Sequence, residues 1–179
     1  MADISYEDPE VTWFITSRTI ASRLWFINDC KLQRKIVAFV AKNQKKYGVI
    51  IYAFIIMGNH THMVARFPNS NKALFFQAFN SMIAALVRTM VPHYGSGKLW
   101  ARPPKYQVLP ENADIEHWFL YAGLNPVRSG LTQKYTEYDT FNSIPYAITG
   151  KALDFKLINW TAYGLVRLMI GIAGYGNRH

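Results

Sequence analysis

Cysteine is nearly missing from this chain: Cys30 is the only one among 179 residues. No intrachain disulfide can form and a zinc site built on cysteine is excluded, so the composition fits a reducing, cytosolic setting. Acidic residues are scarce as well, eleven Asp and Glu against twenty Lys and Arg, for a formal charge of +9. Four of those acids, Asp3, Glu7, Asp8 and Glu10, fall in the first ten residues, and residues 11–110 then hold fourteen Lys or Arg with a single acid, Asp29. A field of that sign draws polyanions, of which nucleic acid is the commonest. Long uninterrupted apolar runs are absent. The sequence opens on acids, where a secretory signal has basic residues leading into an apolar stretch. The most apolar late segment, 157–173, is broken by Arg167 and two glycines and falls short of a membrane span. The expectation is a soluble, cytoplasmic protein with no membrane partner.

What is present is enough apolar material for one well-filled core, since half the residues are hydrophobic. Residues 11–18 alternate bulky side chains with period two, as a strand does. Asp29 introduces a helix over 31–46, where Leu32, Ile36, Phe39 and Val40 make one apolar stripe. Residues 49–57 and 60–67 form a hairpin about Gly58 and Asn59. Phe76, Phe79, Ile83, Leu86, Val87 and Met90 mark a second helix over 71–90, stopped by Pro92. A short strand follows at 105–109, and then a helix over 114–124 ended by Asn125 and Pro126.

Strand, helix, strand, strand, helix, strand, helix is the order of an α+β, ferredoxin-like split unit: an antiparallel sheet with one added helix. We take 1–150 as that domain and 151–179 as a helical extension of unknown role with a Gly-rich end.

Two groups of residues carry chemistry. His60 and His62 are two apart in a strand, so their imidazoles project from one face and can reach a common cation. With no cysteine or carboxylate nearby, an open site for Mg²⁺ or Mn²⁺ is favoured over a closed structural zinc site. His117, Tyr121 and Asn125 stand at i, i+4 and i+8 and form one helical stripe. On spacing alone, that tyrosine reads as a core residue and that Asn as a helix stop. His117 reads as packing, or as a proton acceptor one turn from Tyr121. Trp13 and Phe14 read as core residues or as stacking platforms for single-stranded bases.

Five pieces in order then resemble a known family. They are Thr16-Ser17-Arg18-Thr19; Tyr52-Ala53-Phe54 running into Asn59-His60-Thr61-His62; Phe79-Asn80-Ser81; Gly97-Lys98-Leu99-Trp100; and Tyr121-Ala122-Gly123-Leu124-Asn125-Pro126-Val127-Arg128-Ser129-Gly130-Leu131. Together, residues 11–146 resemble the REP-associated tyrosine transposases and the wider single-tyrosine HUH transposases. The resemblance implies that His60 and His62 bind a divalent metal, that Asn125 is a third ligand, and that Tyr121 is the nucleophile. It implies single-stranded or hairpin DNA as substrate and a 5′-phosphotyrosine intermediate, in a monomer or homodimer. Arg18 and Arg128 are the implied DNA contacts. Thr61 stands where the family usually has a larger apolar residue, and Leu120 where an Arg is common. The rival functions are a domesticated DNA-binding protein of the same family without catalysis, a metal-dependent hydrolase with Tyr121 a bystander, and a protein-interaction module.

Overall fold

The computed structural model describes residues 8–27, 29–110, 115–157 and 164–168. Its strands are β1 (Thr12–Arg18), β2 (Ile50–Ile56), β3 (His60–Arg66), β4 (Lys105–Val108), β5 (Leu153–Leu157) and β6 (Gly164–Leu168). Its helices are α1 (Cys30–Tyr47), α2 (Lys72–Met90), α3 (Ile115–Gly123), α4 (Asn125–Arg128) and α5 (Ile144–Thr149). The main sheet has the order β2-β3-β1-β4 with every pairing antiparallel, which is the α+β arrangement the split unit predicts.

Local chemistry sets the helix bounds. The Asp29 carboxylate accepts from Leu32 N at 2.8 Å and caps the start of α1, and Gly48 ends it in the left-handed region at φ 66. Lys45 and Lys46 lie in its last turn, where the helix dipole favours positive charge. Leu32, Ile36 and Val40 are fully buried, each worth roughly 1.5–3 kcal/mol of apolar transfer. By length and apolarity α2 could cross a membrane, yet its Phe75, Phe76, Phe79, Ile83 and Val87 stripe is spent on the protein core.

Both faces of the sheet are covered, so β2 and β3 read as nearly continuous buried runs rather than alternating ones. On one side Trp13, Ile15, Ile51, Phe54 and Met63 pack with α1 and α2. On the other, Phe14, Tyr52, Ala53 and Val64 pack with α3 and Ile144. Trp13 and Phe14 are therefore both core residues. The outer edge of β2 is protected by residues 140–143: Ile56 N donates to Phe141 O at 2.9 Å and Ser143 N to Phe54 O at 3.1 Å. Buried Gln33 ties α1 to the same segment, accepting from Phe141 N at 2.9 Å.

The helix α3 ends at Gly123, just before Asn125 and Pro126 as expected; those two residues also open α4, because proline lacks the N–H that a first helical turn leaves unpaired anyway. One expectation is corrected. The extension is not helical where it is described: β5 and β6 pair as an antiparallel hairpin, with β6 against α1. Leu153, Phe155 and Leu157 alternate with Asp154 and Lys156, a strand period that the apolar run after it obscures. The Gly-rich end at 171–176 lies outside the described residues.

Candidate active site

The pairing of β1 with β3 sets Arg18 opposite His60 and Thr16 opposite His62, and the pairing of β1 with β4 sets Thr16 opposite Lys105. Residues in direct cross-strand register point to the same face. Arg18, Thr16, His60, His62 and Lys105 therefore share the face that α3 covers, and α3 brings Tyr121 onto it.

The histidine pair follows a tight turn. Met57 N donates to His60 O at 2.7 Å, Gly58 N to the Tyr138 hydroxyl at 3.1 Å, and Phe26 N to Gly58 O at 3.0 Å. A Cβ on Gly58 would lie 2.8 Å from the Ile27 side chain and 2.9 Å from that of Leu24, so a larger residue there would have to displace those side chains from over the turn. His60 and His62 are 9% and 7% exposed. Their Nε2 atoms face each other at 3.0 Å, Nδ1 of His60 meets Asn59 Oδ1 at 2.5 Å, and Nδ1 of His62 meets Thr16 Oγ1 at 2.9 Å. Burial first, and then the Arg18 charge, lowers the His60 pKa to about 4. Burial, His60 and Arg18 lower that of His62 to about 3. Both imidazoles are thus neutral at pH 7.

This donor set fits a divalent metal. Two nitrogens bound side by side on one ion at about 2.1 Å each stand about 3 Å apart, the separation of the two Nε2 atoms. Among the described residues no cluster of three or more His, Cys, Asp or Glu exists, so the remaining positions of such an ion would fall to neutral protein oxygens, water or substrate.

Tyr121 is held by its helix. The Asn142 amide donates to Gly123 O at 2.8 Å at the end of α3, and its carbonyl accepts from Ile144 N at 3.0 Å. The Tyr121 ring meets Phe14 edge-on at 5.5 Å, packs on Trp118 at 5.5 Å, and lies 4.7 Å from the Arg128 guanidinium. Phe14 also stacks on His62 at 5.1 Å, so one buried ring spaces the tyrosine from the histidine. A pocket of about 340 Å³ opens between them. Tyr121 and His62 line it together with Arg18, Arg102, Lys105 and Gln107.

Of the residues singled out in the sequence, Tyr121, His62 and Arg18 thus meet in one pocket, with His60 against His62 and Arg128 over Tyr121. Asn125 is half-buried at the start of α4, where its Oδ1 accepts from Ser129 Oγ at 3.4 Å, and it does not line the pocket. His117 is exposed, with its ring edge toward Trp118, and is also outside the pocket. Leu120 is exposed beside the tyrosine and Thr61 is buried. Arg102, Lys105 and Gln107 were not foreseen. The alternation of Lys105 and Gln107 with Tyr106 places them on one face of a strand, but only the β1–β4 register shows which face.

Fold and site together define a ferredoxin-like α+β protein with paired histidines and a tyrosine at a basic pocket. No family model matches the chain, and no curated protein matches it. Among solved structures it is similar to a REP-associated tyrosine transposase bound to a REP hairpin, with a TM-score of 0.66 at 15% identity over 80% of this chain and 82% of that one. It is also similar to tRNA(His) guanylyltransferase from Saccharomyces cerevisiae, with a TM-score of 0.49 at 14% identity over 96% and 95% of the two chains. A bacterial tRNA(His) guanylyltransferase-like protein in complex with ATP has a TM-score of 0.46 at 12% identity over 90% and 83%. The first likeness establishes a shared fold.

Proposed function

We propose that the chain is a metal-dependent DNA strand transferase that cleaves and rejoins single-stranded, hairpin-bearing DNA through a tyrosine. The observation that carries this reading is the meeting of Tyr121 and His62 in one pocket whose other walls hold Arg18, Arg102 and Lys105. A structural tyrosine has no need of three cations and a buried histidine pair around it, whereas attack on a phosphodiester does. The transposase with the similar fold was solved on a hairpin, which agrees with the substrate class.

In this mechanism Arg18, Arg102 and Lys105 draw the DNA backbone into the pocket and hold a phosphate beside Tyr121. A divalent cation on His60 and His62 would neutralise charge at a non-bridging oxygen of that phosphate; Asn125, which does not line the pocket, is not needed as a ligand. The Tyr121 oxygen attacks phosphorus and loses its proton to solvent, while the bond to the 3′ oxygen breaks and that oxygen takes up a proton. The products are a 5′-phosphotyrosine and a free 3′-hydroxyl. The covalent bond retains the energy of the phosphodiester, so a second 3′-hydroxyl reverses the step without ATP. Phe14 and Trp118 keep the phenol from turning back into the core.

Labelled hairpin oligonucleotides with single-stranded flanks, incubated with the protein and Mg²⁺ or Mn²⁺, should give a denaturation-resistant protein–DNA adduct. The adduct should be lost in EDTA and in His60→Ala and His62→Ala. Binding without any adduct would favour a DNA-binding protein that has lost catalysis; cleavage without an adduct would favour a hydrolase.

A further inference from the structure

The 3′ oxygen released on cleavage departs as an alkoxide unless a proton reaches it, and an alkoxide is a far poorer leaving group than an alcohol. The pocket offers few sources for that proton. Among the described residues that line it there is no carboxylic acid, and the Gln107 amide has no labile proton to give. The Thr16 hydroxyl is hydrogen-bonded to His62 Nδ1 at 2.9 Å, and His62 belongs to the metal site proposed above. Three cations remain, Arg18, Arg102 and Lys105. All three can hold a phosphate, but a guanidinium, with a pKa above about 12, keeps its proton, whereas an ammonium, at about 10.4, can give one up. Lys105 is therefore the one cation of this pocket able to act as an acid.

Its place suits that task. α3 packs over β2 and β3, on one side of β1, whereas β4 pairs with β1 on the other side. Tyr121 and Lys105 thus reach the pocket from opposite sides, with Phe14 and Thr16 of β1 between them. Displacement at phosphorus is in line, so the attacking and leaving oxygens stand on opposite sides of it. A phosphate seated between these walls with one side to the Tyr121 hydroxyl turns the other toward Lys105.

We propose that Lys105 is the general acid of strand cleavage and the general base of rejoining. In cleavage the Tyr121 oxygen bonds to phosphorus, the bond from phosphorus to the 3′ oxygen breaks with its electron pair left on that oxygen, and the oxygen takes a proton from the Lys105 ammonium. In rejoining, the neutral amine removes the proton of the incoming 3′-hydroxyl. That oxygen then bonds to phosphorus as the bond to Tyr121 breaks, and the tyrosine oxygen regains a proton from solvent. This rests on the strand-transfer reading above, and it gives Lys105 a part that the two arginines cannot share.

The test replaces the leaving oxygen. A hairpin oligonucleotide carrying a 3′-bridging sulfur, at the phosphate where wild type forms its adduct, releases a thiolate, and a thiol pKa of about 8.5 removes the need for an acid. Adduct formation is followed in single turnovers at saturating DNA, with the same metal throughout. Lys105 is exposed at the start of an edge strand, so its variants should fold. On the oxygen substrate, Lys105→Ala and Lys105→Arg should both be slowed about 100-fold or more. Lys105→Arg keeps the positive charge, which separates proton transfer from phosphate binding. On the sulfur substrate both should come within a few-fold of wild type, whereas Arg102→Ala should be slowed equally on the two substrates. If either Lys105 variant cleaves the oxygen substrate at the wild-type rate, or both are slowed as much on sulfur as on oxygen, Lys105 only holds phosphate; the proposal is overturned and the strand-transfer reading stands. Wild type that forms no adduct on the oxygen substrate overturns both.

Discussion

The guanidinium of Arg128 lies 4.7 Å from the centre of the Tyr121 ring, one helix reaching back to cover a residue of the one before it. The sequence reading expects Arg128 to contact DNA; its guanidinium also stands over the ring of the proposed nucleophile. An exposed cation–π contact is worth about 0.5–1 kcal/mol. Arg128→Ala should therefore slow adduct formation by a few-fold in single-turnover kinetics and leave hairpin affinity nearly unchanged. A large loss of affinity with an unchanged rate would instead make Arg128 a DNA contact, as the sequence reading expects.

Gly123 determines how closely α3 approaches the rest of the molecule. A Cβ there would sit 2.1 Å from Ile144 Cδ1. Gly123→Ala should cost about 1–3 kcal/mol through overpacking, visible as a lower melting temperature.

Acid should destabilise the metal-free protein through its histidines. Their folded pKa values, about 4 and about 3, lie below the ordinary 6.5, so the unfolded chain binds more protons between those limits. Their contribution is complete above pH 6.5, declines below it, and is gone once the pH has fallen through about 3. Thermal melts from pH 7 to pH 4 should show a steeper loss for wild type than for a His60→Gln, His62→Gln double variant. Parallel profiles would mean that the pair is not held neutral by burial.

Salt dependence separates phosphate contacts from shape. Arg18→Ala, Arg102→Ala and Lys105→Ala should each weaken single-strand binding, and each should reduce the slope of log affinity against log salt by about 0.7 to 1. Anisotropy titrations at several salt concentrations measure this. A slope unchanged in all three variants would remove the pocket from the DNA path.

Most of the frame was legible because its signals are local. The Leu32, Ile36, Val40 stripe and the Asp29 cap define α1, and the Gly58-Asn59 turn defines the hairpin that carries His60 and His62. The site was legible only in part because it is assembled by strand pairing. Nothing near Lys105 in sequence shows that it stands opposite Thr16, and nothing near Asn59 shows that its amide donates to Ser22 O at 3.0 Å. The β5–β6 hairpin escaped because its short alternation runs into apolar residues that fit a helix equally well. Asn125 and Pro126 mark the end of α3 as expected, but α4 went unread, since the same missing N–H that stops one helix suits the start of the next.

The central claim is that Tyr121, and no other tyrosine, takes the DNA. Tyr138 is occupied, accepting from Gly58 N with its hydroxyl, and Tyr135 packs beside the second core cluster. The most direct measurement is mass spectrometry of the digested covalent complex, with fragmentation of the peptide that holds both Tyr106 and Tyr121. The phosphonucleotide should map to Tyr121, and Tyr121→Phe, which keeps the ring against Phe14, should fold, bind the hairpin and yield no modified peptide. A nucleotide found on Tyr106, Tyr135 or Tyr138, or an adduct that survives in Tyr121→Phe, would contradict the account.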